Sequence, residues 1–181
     1  MPATSRIRSN SGRSRSNGRQ TNSRSATDAI SLLKQDHQKV RQLLKKFESN
    51  GTEELLQQIE NELKVHTQIE EEIFYPAFRD SLRSESDEHL YYEALEEHHV
   101  VDLVLPEIKD ETEGSAEFEA KGKVLKDIVE HHADEEEKQM FPKARKLLGM
   151  ARLREIGEQL MERKQELTSE TEGRRGRRRV A

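Results

Sequence analysis

Cysteine and tryptophan are absent from this 181-residue chain, and proline occurs only four times. Without cysteine there is no thiolate metal site, no iron–sulfur ligation and no disulfide framework, and an intracellular, reducing setting is compatible. Aromatic residues make up 4% of the chain and hydrophobic residues 31%, against 37% charged. Any core must then be narrow and drawn from one stripe per element, a condition that helices meet best. No apolar run approaches the ~18–20 residues of a membrane span, and no apolar h-region follows the basic N-terminus. A soluble, non-secreted, cytoplasmic protein is expected.

The net charge of −5 conceals an asymmetry. Residues 1–26 carry six arginines and no acid, and residues 173–181 carry five arginines and no acid. Without these the chain has 20 basic and 36 acidic residues, so an acidic body near −16 bears two basic ends. Composition predicts a disordered Arg/Ser-rich tail over 1–26, a helical domain over 27–168 and a disordered Arg-rich tail over 169–181. A solvated tail is the plainest reading of 1–26. Weak nucleic-acid contact through phosphates is an alternative, as is organellar targeting, although no amphipathic apolar face supports the latter.

Between the tails, apolar residues recur at steps of three and four. A first helix is predicted from about Thr27, with Asp28 in its first turn and a stripe of Ile30, Leu33, His37, Val40, Leu44 and Phe47. Asn50 and Gly51 end it. Thr52 and two glutamates open a second, with Leu55, Ile59, Leu63, His66, Glu70, Ile73 and Ala77 inward and a bend expected at Pro76. After a polar turn over 81–86, Leu95, His98, Asp102 and Leu105 mark a third stripe, with Val101 beside it, which Pro106 should kink or shorten. A fourth runs Phe118, Leu125, Ile128, His132, Glu136, Gln139 or Met140, Lys143 and Leu147, and stops at Gly149. A shorter helix over about 151–167, with Leu153, Ile156, Leu160 and Leu167 on one side, should pack outside the bundle or extend it. Short connections force neighbours antiparallel, so the expected fold is all-α: an up-down-up-down antiparallel four-helix bundle with a short C-terminal fifth helix.

Each of the four stripes contains a histidine, and two contain a glutamate. HTQIEEEIFYP (66–76) and HADEEEKQMFP (132–142) share His-x-x-x-Glu, a second Glu at once, and an aromatic before a proline. DHQKV (36–40) matches EHHVV (97–101), so the chain reads as two duplicated helix hairpins. Residues four apart on a helix share a face, about 5–6 Å apart at Cβ, so an imidazole and a carboxylate can converge on one ion. The repeat selects His37, His66, Glu70, His98, His132 and Glu136. A lone stripe histidine is usually a hydrogen-bonded core residue and a glutamate run usually a solvated face; the repetition reverses that weighting. Four imidazoles and two carboxylates in one core need compensating charge, which two divalent ions sharing the glutamates supply. Nitrogen and oxygen ligation without sulfur suits iron, then manganese or zinc.

Alignment on the prolines selects His132 over His131. His99 and His89 fall off their stripes and read as surface residues. Tyr75 and Phe141 read as core aromatics near the site, with Tyr75 able to offer its hydroxyl to a bound ligand. There is no HExxH, which argues against a zinc protease, and only one Glu-x-x-His, Glu96 to His99, where a ferritin-like centre needs two.

The series DH, HxxxE, EH, HxxxE with its FYP and MFP endings resembles the hemerythrin-like HHE cation-binding family, over about residues 27–148 and at most to 168. The resemblance implies a non-haem di-iron centre that binds or senses dioxygen or handles iron. His37, His66, His98 and His132 would be terminal ligands, and Glu70 and Glu136 the bridges. Two alternatives use the same centre: a di-iron enzyme acting on hydrogen peroxide or nitric oxide, and a sensor contacting nucleic acid through its Arg-rich tails. The chain departs from oxygen-carrying members, whose third helix gives a His-x-x-x-His pair. Here the position four after His98 is Asp102, which either ligates or leaves a coordination position open to peroxide or another small ligand.

Overall fold

The computed structural model describes residues 27–84 and 87–178; the tail expected over 1–26, and residues 179–181 of the other, lie outside them. The chain is all-helical there: α1 (Ala29–Ser49), α2 (Glu53–Ile69), α3 (Tyr75–Ser81), α4 (His89–Lys109), α5 (Ala116–Glu135) and α6 (Phe141–Arg178). Side-chain caps fix three starts. Asp28 caps α1 rather than entering its first turn: its carboxylate accepts the Ser31 N–H at 3.3 Å and the Ser31 hydroxyl at 2.7 Å. Thr52 accepts the Leu55 N–H at 3.2 Å, and Ser115 the Phe118 N–H at 3.1 Å.

The two His-x-x-x-Glu helices share a feature that stripe periodicity does not show. After Ile69 the backbone widens into a π turn over Glu70–Phe74, closed by the Tyr75 N–H on the Glu70 carbonyl, before α3 resumes. After Glu135 the same happens over Glu136–Met140, closed by the Phe141 N–H on the Glu136 carbonyl. Each π turn inserts one residue and rotates everything beyond it by about 100°. Ile73 and Ala77, expected inward, are therefore only half-buried, and Phe74, Tyr75 and Phe78 fill the core instead. In the second copy Met140, Phe141 and Ala144 are buried, Lys143 is half-buried and Leu147 exposed. Pro76 falls in the first turn of α3, where a missing N–H costs little, so the irregularity is the π turn and not a proline bend. Pro106 does not shorten its helix either: α4 continues through it to Lys109, and the carbonyl it leaves unmet belongs to exposed Asp102.

Two apolar clusters form the core. One gathers Ile30, Leu33, Ile69, Phe74, Tyr75 and Phe141 with Leu153, Ile156 and Leu160 of α6. The other gathers Val40, Leu44, Leu63, Val101, Leu105, Leu125 and Val129. On each helix the stripe histidine falls between its contributions to the two clusters, so the polar residues form a band sandwiched by apolar ones. Gly149 (φ 71°, ψ 164°) breaks α6, and the helix beyond it lies on the first cluster. Helical backbone then runs to Arg178, past the point at which a tail was expected. Gly157 sets how closely α6 approaches the start of α1: a Cβ there would stand 2.3 Å from the Thr27 carbonyl oxygen.

Candidate metal centre

All six residues that the repeat selects meet in that band, and all are at least nine-tenths buried, from Glu70 at 0% exposure to His132 at 6%. Donor atoms of His37, His66, Glu70 and Glu136 lie within 4.8 Å of one another, as do those of Glu70, His98 and His132. Each carboxylate reaches a histidine from both halves of the chain. Glu70 Oε2 is 3.2 Å from His66 Nε2 and 3.5 Å from His98 Nε2; Glu136 Oε2 is 3.1 Å from His37 Nε2 and 3.7 Å from His132 Nε2. The imidazoles pair at ring centroids 4.8 Å apart for His37 and His66, and 4.7 Å for His98 and His132.

The opposite nitrogen of every one of these rings faces a carboxylate. His37 Nδ1 lies 3.0 Å from Glu137, His98 Nδ1 2.8 Å from Glu71, His132 Nδ1 2.7 Å from Glu97, and His66 Nδ1 3.8 Å from Asp36. At His37, His98 and His132 such partners hold the Nδ1 proton and turn the Nε2 lone pair inward, the arrangement that orients histidines around metals, while Asp36 stands at ion-pair distance from His66. These four acids are the functional residues that stripe reasoning passes over. The signal was present in the repeat: Asp36 and Glu97 immediately precede His37 and His98, and Glu71 and Glu137 immediately follow Glu70 and Glu136. The acids are tied in turn, Glu137 by the Arg41 guanidinium at 2.7 Å and Asp36 by Lys164 of α6.

The electrostatics are those of a site short of positive charge. Burial and the neighbouring Glu136 charge push the Glu70 carboxyl well above its ordinary range. Burial would raise Glu136 as well, but the charges of His132 and His37 beside it outweigh that and hold the carboxyl low. Burial drives His66 down to about 4 despite Asp36. For His37 and His132 burial acts downward too, yet the surrounding carboxylates outweigh it and lift both, Glu136 first, with Glu70 and Glu137 at His37 and Glu97 and Glu70 at His132. His37 Nε2, His66 Nε2 and all four oxygens of Glu70 and Glu136 are buried without a hydrogen-bond partner. Orphaned donors and acceptors of this number are too costly for an ordinary core, and they converge on two points.

Other sequence candidates stay outside. Asp102, placed on the third stripe by its spacing, is exposed, and Val101 takes the inward position. His99 and His89 are exposed, and His131 points away from the centre with its side chain 63% exposed. Tyr75 is fully buried, its hydroxyl 3.3 Å from His98 Nε2 and 3.5 Å from His132 Nε2. Its counterpart Phe141 stacks on His37 at 5.7 Å and offers no such group. The two halves of the site are therefore chemically distinct.

A helical bundle that gathers four oriented imidazoles and two shared carboxylates defines a class of cation-binding proteins. The chain belongs to the family of the Hemerythrin HHE cation binding domain, which it matches over residues 28–144. A crystal structure of a hemerythrin HHE cation binding domain-containing protein from Mycobacterium kansasii superposes with a TM-score of 0.68, covering 79% of this chain and 88% of that one at 27% identity. A DNA nickase of Nostoc sp. (strain PCC 7120) is 29% identical over 114 residues, 61% of this chain but only 31% of the nickase. That name describes a protein most of which lies outside the match. No helix among the described residues is long and apolar enough to cross a membrane.

Proposed function

We propose that this protein holds two non-haem metal ions, iron by preference, between His37, His66, His98 and His132, with Glu70 and Glu136 shared by both, and that it binds or senses a small oxygen-containing ligand there. The observation that carries the reading is the set of orphaned, fully buried nitrogen and oxygen atoms facing one another. Neutral imidazoles and carboxylates without sulfur suit iron, then manganese or zinc. Two such ions, when bound, supply a Lewis-acidic pair able to exchange electrons with a small ligand. The chain contributes orientation through Asp36, Glu71, Glu97 and Glu137, and exclusion of water. Val40, Leu63, Val101 and Val129 line a cavity over the imidazoles with room for about one water-sized molecule. The reading takes the bundle as up-down-up-down antiparallel, which the short connections at 50–52 and 110–115 support.

Metal content and the visible spectrum of the purified full chain, in air and after deoxygenation, test this. Two ions per chain and a band that bleaches reversibly on deoxygenation are expected. Glu70→Ala and Glu136→Ala should each lower the content below two. A wild-type chain without transition metal under both atmospheres would overturn the reading.

A second reading, chemistry on hydrogen peroxide, is favoured by Tyr75. Burial and the charges of Glu136 and Glu70 push its phenol well above the ordinary range, so it remains a proton donor aimed at the His98 and His132 side. Oxygen evolution from added peroxide that is lost in Tyr75→Phe with metal content intact would select this reading. Equal evolution by the two proteins would remove Tyr75 from it.

A further inference from the structure

His131, which precedes His132 in the sequence, stays outside the buried centre. Its Nε2 lies 3.6 Å from Glu97 Oε1 and 3.9 Å from Glu135 Oε1 on the outside of α5. One nitrogen and two carboxylate oxygens thus stand within 4.8 Å of one another. Small side-chain rotations bring such a trio to the ~2.0–2.2 Å that a first-row divalent ion requires of each donor. As a plain ion pair, the exposed imidazole would gain little. Glu97 joins this group to the interior, since its other oxygen faces His132 Nδ1 at 2.7 Å.

A second observation lies beneath. A recess walled by Glu97, Glu135, Leu90 and Met140 leads inward to His132 and Glu136. Both Glu136 oxygens are buried and without a hydrogen-bond partner. Carboxylates therefore mark the route at its mouth and at its end. The first half of the chain has no equivalent: the residues corresponding to Glu97, His131 and Glu135 in the repeat are Asp36, Val65 and Ile69. The trio is a property of one side of an otherwise duplicated bundle.

We propose that Glu97, His131 and Glu135 form an external site for a divalent first-row transition ion, which stages ions for entry along the Glu136 recess. The staging role rests on the interior being a metal centre, as argued above. The test mixes ion-free full-length chain with Co²⁺, follows visible absorption for filling of the interior, and quenches with chelator to count rapidly removed ions. His131→Ala and Glu135→Gln are the variants. Both positions reach the surface, and a circular dichroism melt verifies their folding.

Wild type should show one rapidly chelated ion per chain in addition to slowly chelated ones. Both variants should lose the rapid ion, reach the same slow plateau, and fill it about tenfold more slowly, the scale on which focused charge accelerates ion capture. Persistence of the rapid ion in both variants would overturn the site. An unchanged filling rate after its loss would overturn staging. Absence of slow ions in wild type would bring down the interior reading and staging together, while loss of the rapid ion in His131→Ala would still establish the outer site.

Discussion

Lys164 is the residue whose role is furthest from its place in the chain. It comes from the far half of α6, beyond the family match at 28–144, and its ammonium meets Asp36, which in turn faces His66. Lys164→Met should leave a buried carboxylate without its cation, at a cost of about 1–3 kcal/mol. Melting of the ion-free protein should fall by several degrees, and metal affinity by about tenfold, the usual range for lost support of a ligating histidine. Isothermal titration with Co²⁺ checks the second effect. Lys164→Arg should restore most of it, whereas equal damage from both substitutions would show that the shape of the lysine matters and its charge does not. The six buried donors were legible in the sequence because duplication repeats them. Their four supporting acids were not, for a geometric reason. A residue adjacent to an inward one on a helix points about 100° away from it and reads as solvated, yet neighbouring helices bring imidazoles to Glu71, Glu97 and Glu137. Asp102 failed in the opposite sense: four residues beyond His98 is within one stripe's tolerance, but α4 turns Val101 inward.

Among the elements, two contacts control how helices close around the band. α6 crosses the start of α1 at Gly157, where an added Cβ would meet backbone atoms, the Thr27 oxygen at 2.3 Å and the Ala29 nitrogen at 2.8 Å. Gly157→Ala should therefore cost about 1–3 kcal/mol and lower the melting temperature by roughly 2–4 °C for each of these. α2 and α4 are tied by Glu60, whose carboxylate accepts from Lys109 and, at 2.8 Å, from Lys64. Burial alone would raise this carboxyl, but the two lysines outweigh it and hold it low. A carboxyl held low in the fold contributes stability above its unfolded value, and that contribution disappears as pH falls through the folded value. Glu60→Gln should accordingly destabilise by about 1 kcal/mol at pH 7, and in urea melts variant and wild type should converge as pH falls below the ordinary carboxylate range. The helices themselves were legible from stripes and caps. The π turns were not, since one inserted residue shifts the phase of everything that follows while leaving each short stretch helical. Phe74 in place of Ile73, and Phe78 in place of Ala77, are that shift.

For the whole molecule, the proposed metal would couple to the fold. Six ionisable groups are buried between two apolar clusters, and ions that bind only the folded chain stabilise it in proportion to the logarithm of their concentration. Removal of metal by a chelator should lower the melting temperature measurably, and readdition of Fe²⁺ without air should restore it. An acidic body in a chain of net charge −5 would offset the positive charge of the ions proposed for the centre. The membership of the fold in its family was legible from the paired motifs alone. The contribution of α6 was not: periodicity alone makes Leu153, Ile156 and Leu160 one face of an appended amphipathic helix, and the structure shows them completing the same cluster as Phe74 and Phe141.

The most direct test of the centre is anomalous X-ray scattering at the iron edge from crystals of iron-loaded protein. Two peaks are predicted, one beside the Nε2 atoms of His37 and His66 and the other beside those of His98 and His132, with Glu70 and Glu136 between them. A single peak, or iron found only elsewhere on the molecule, would contradict the account.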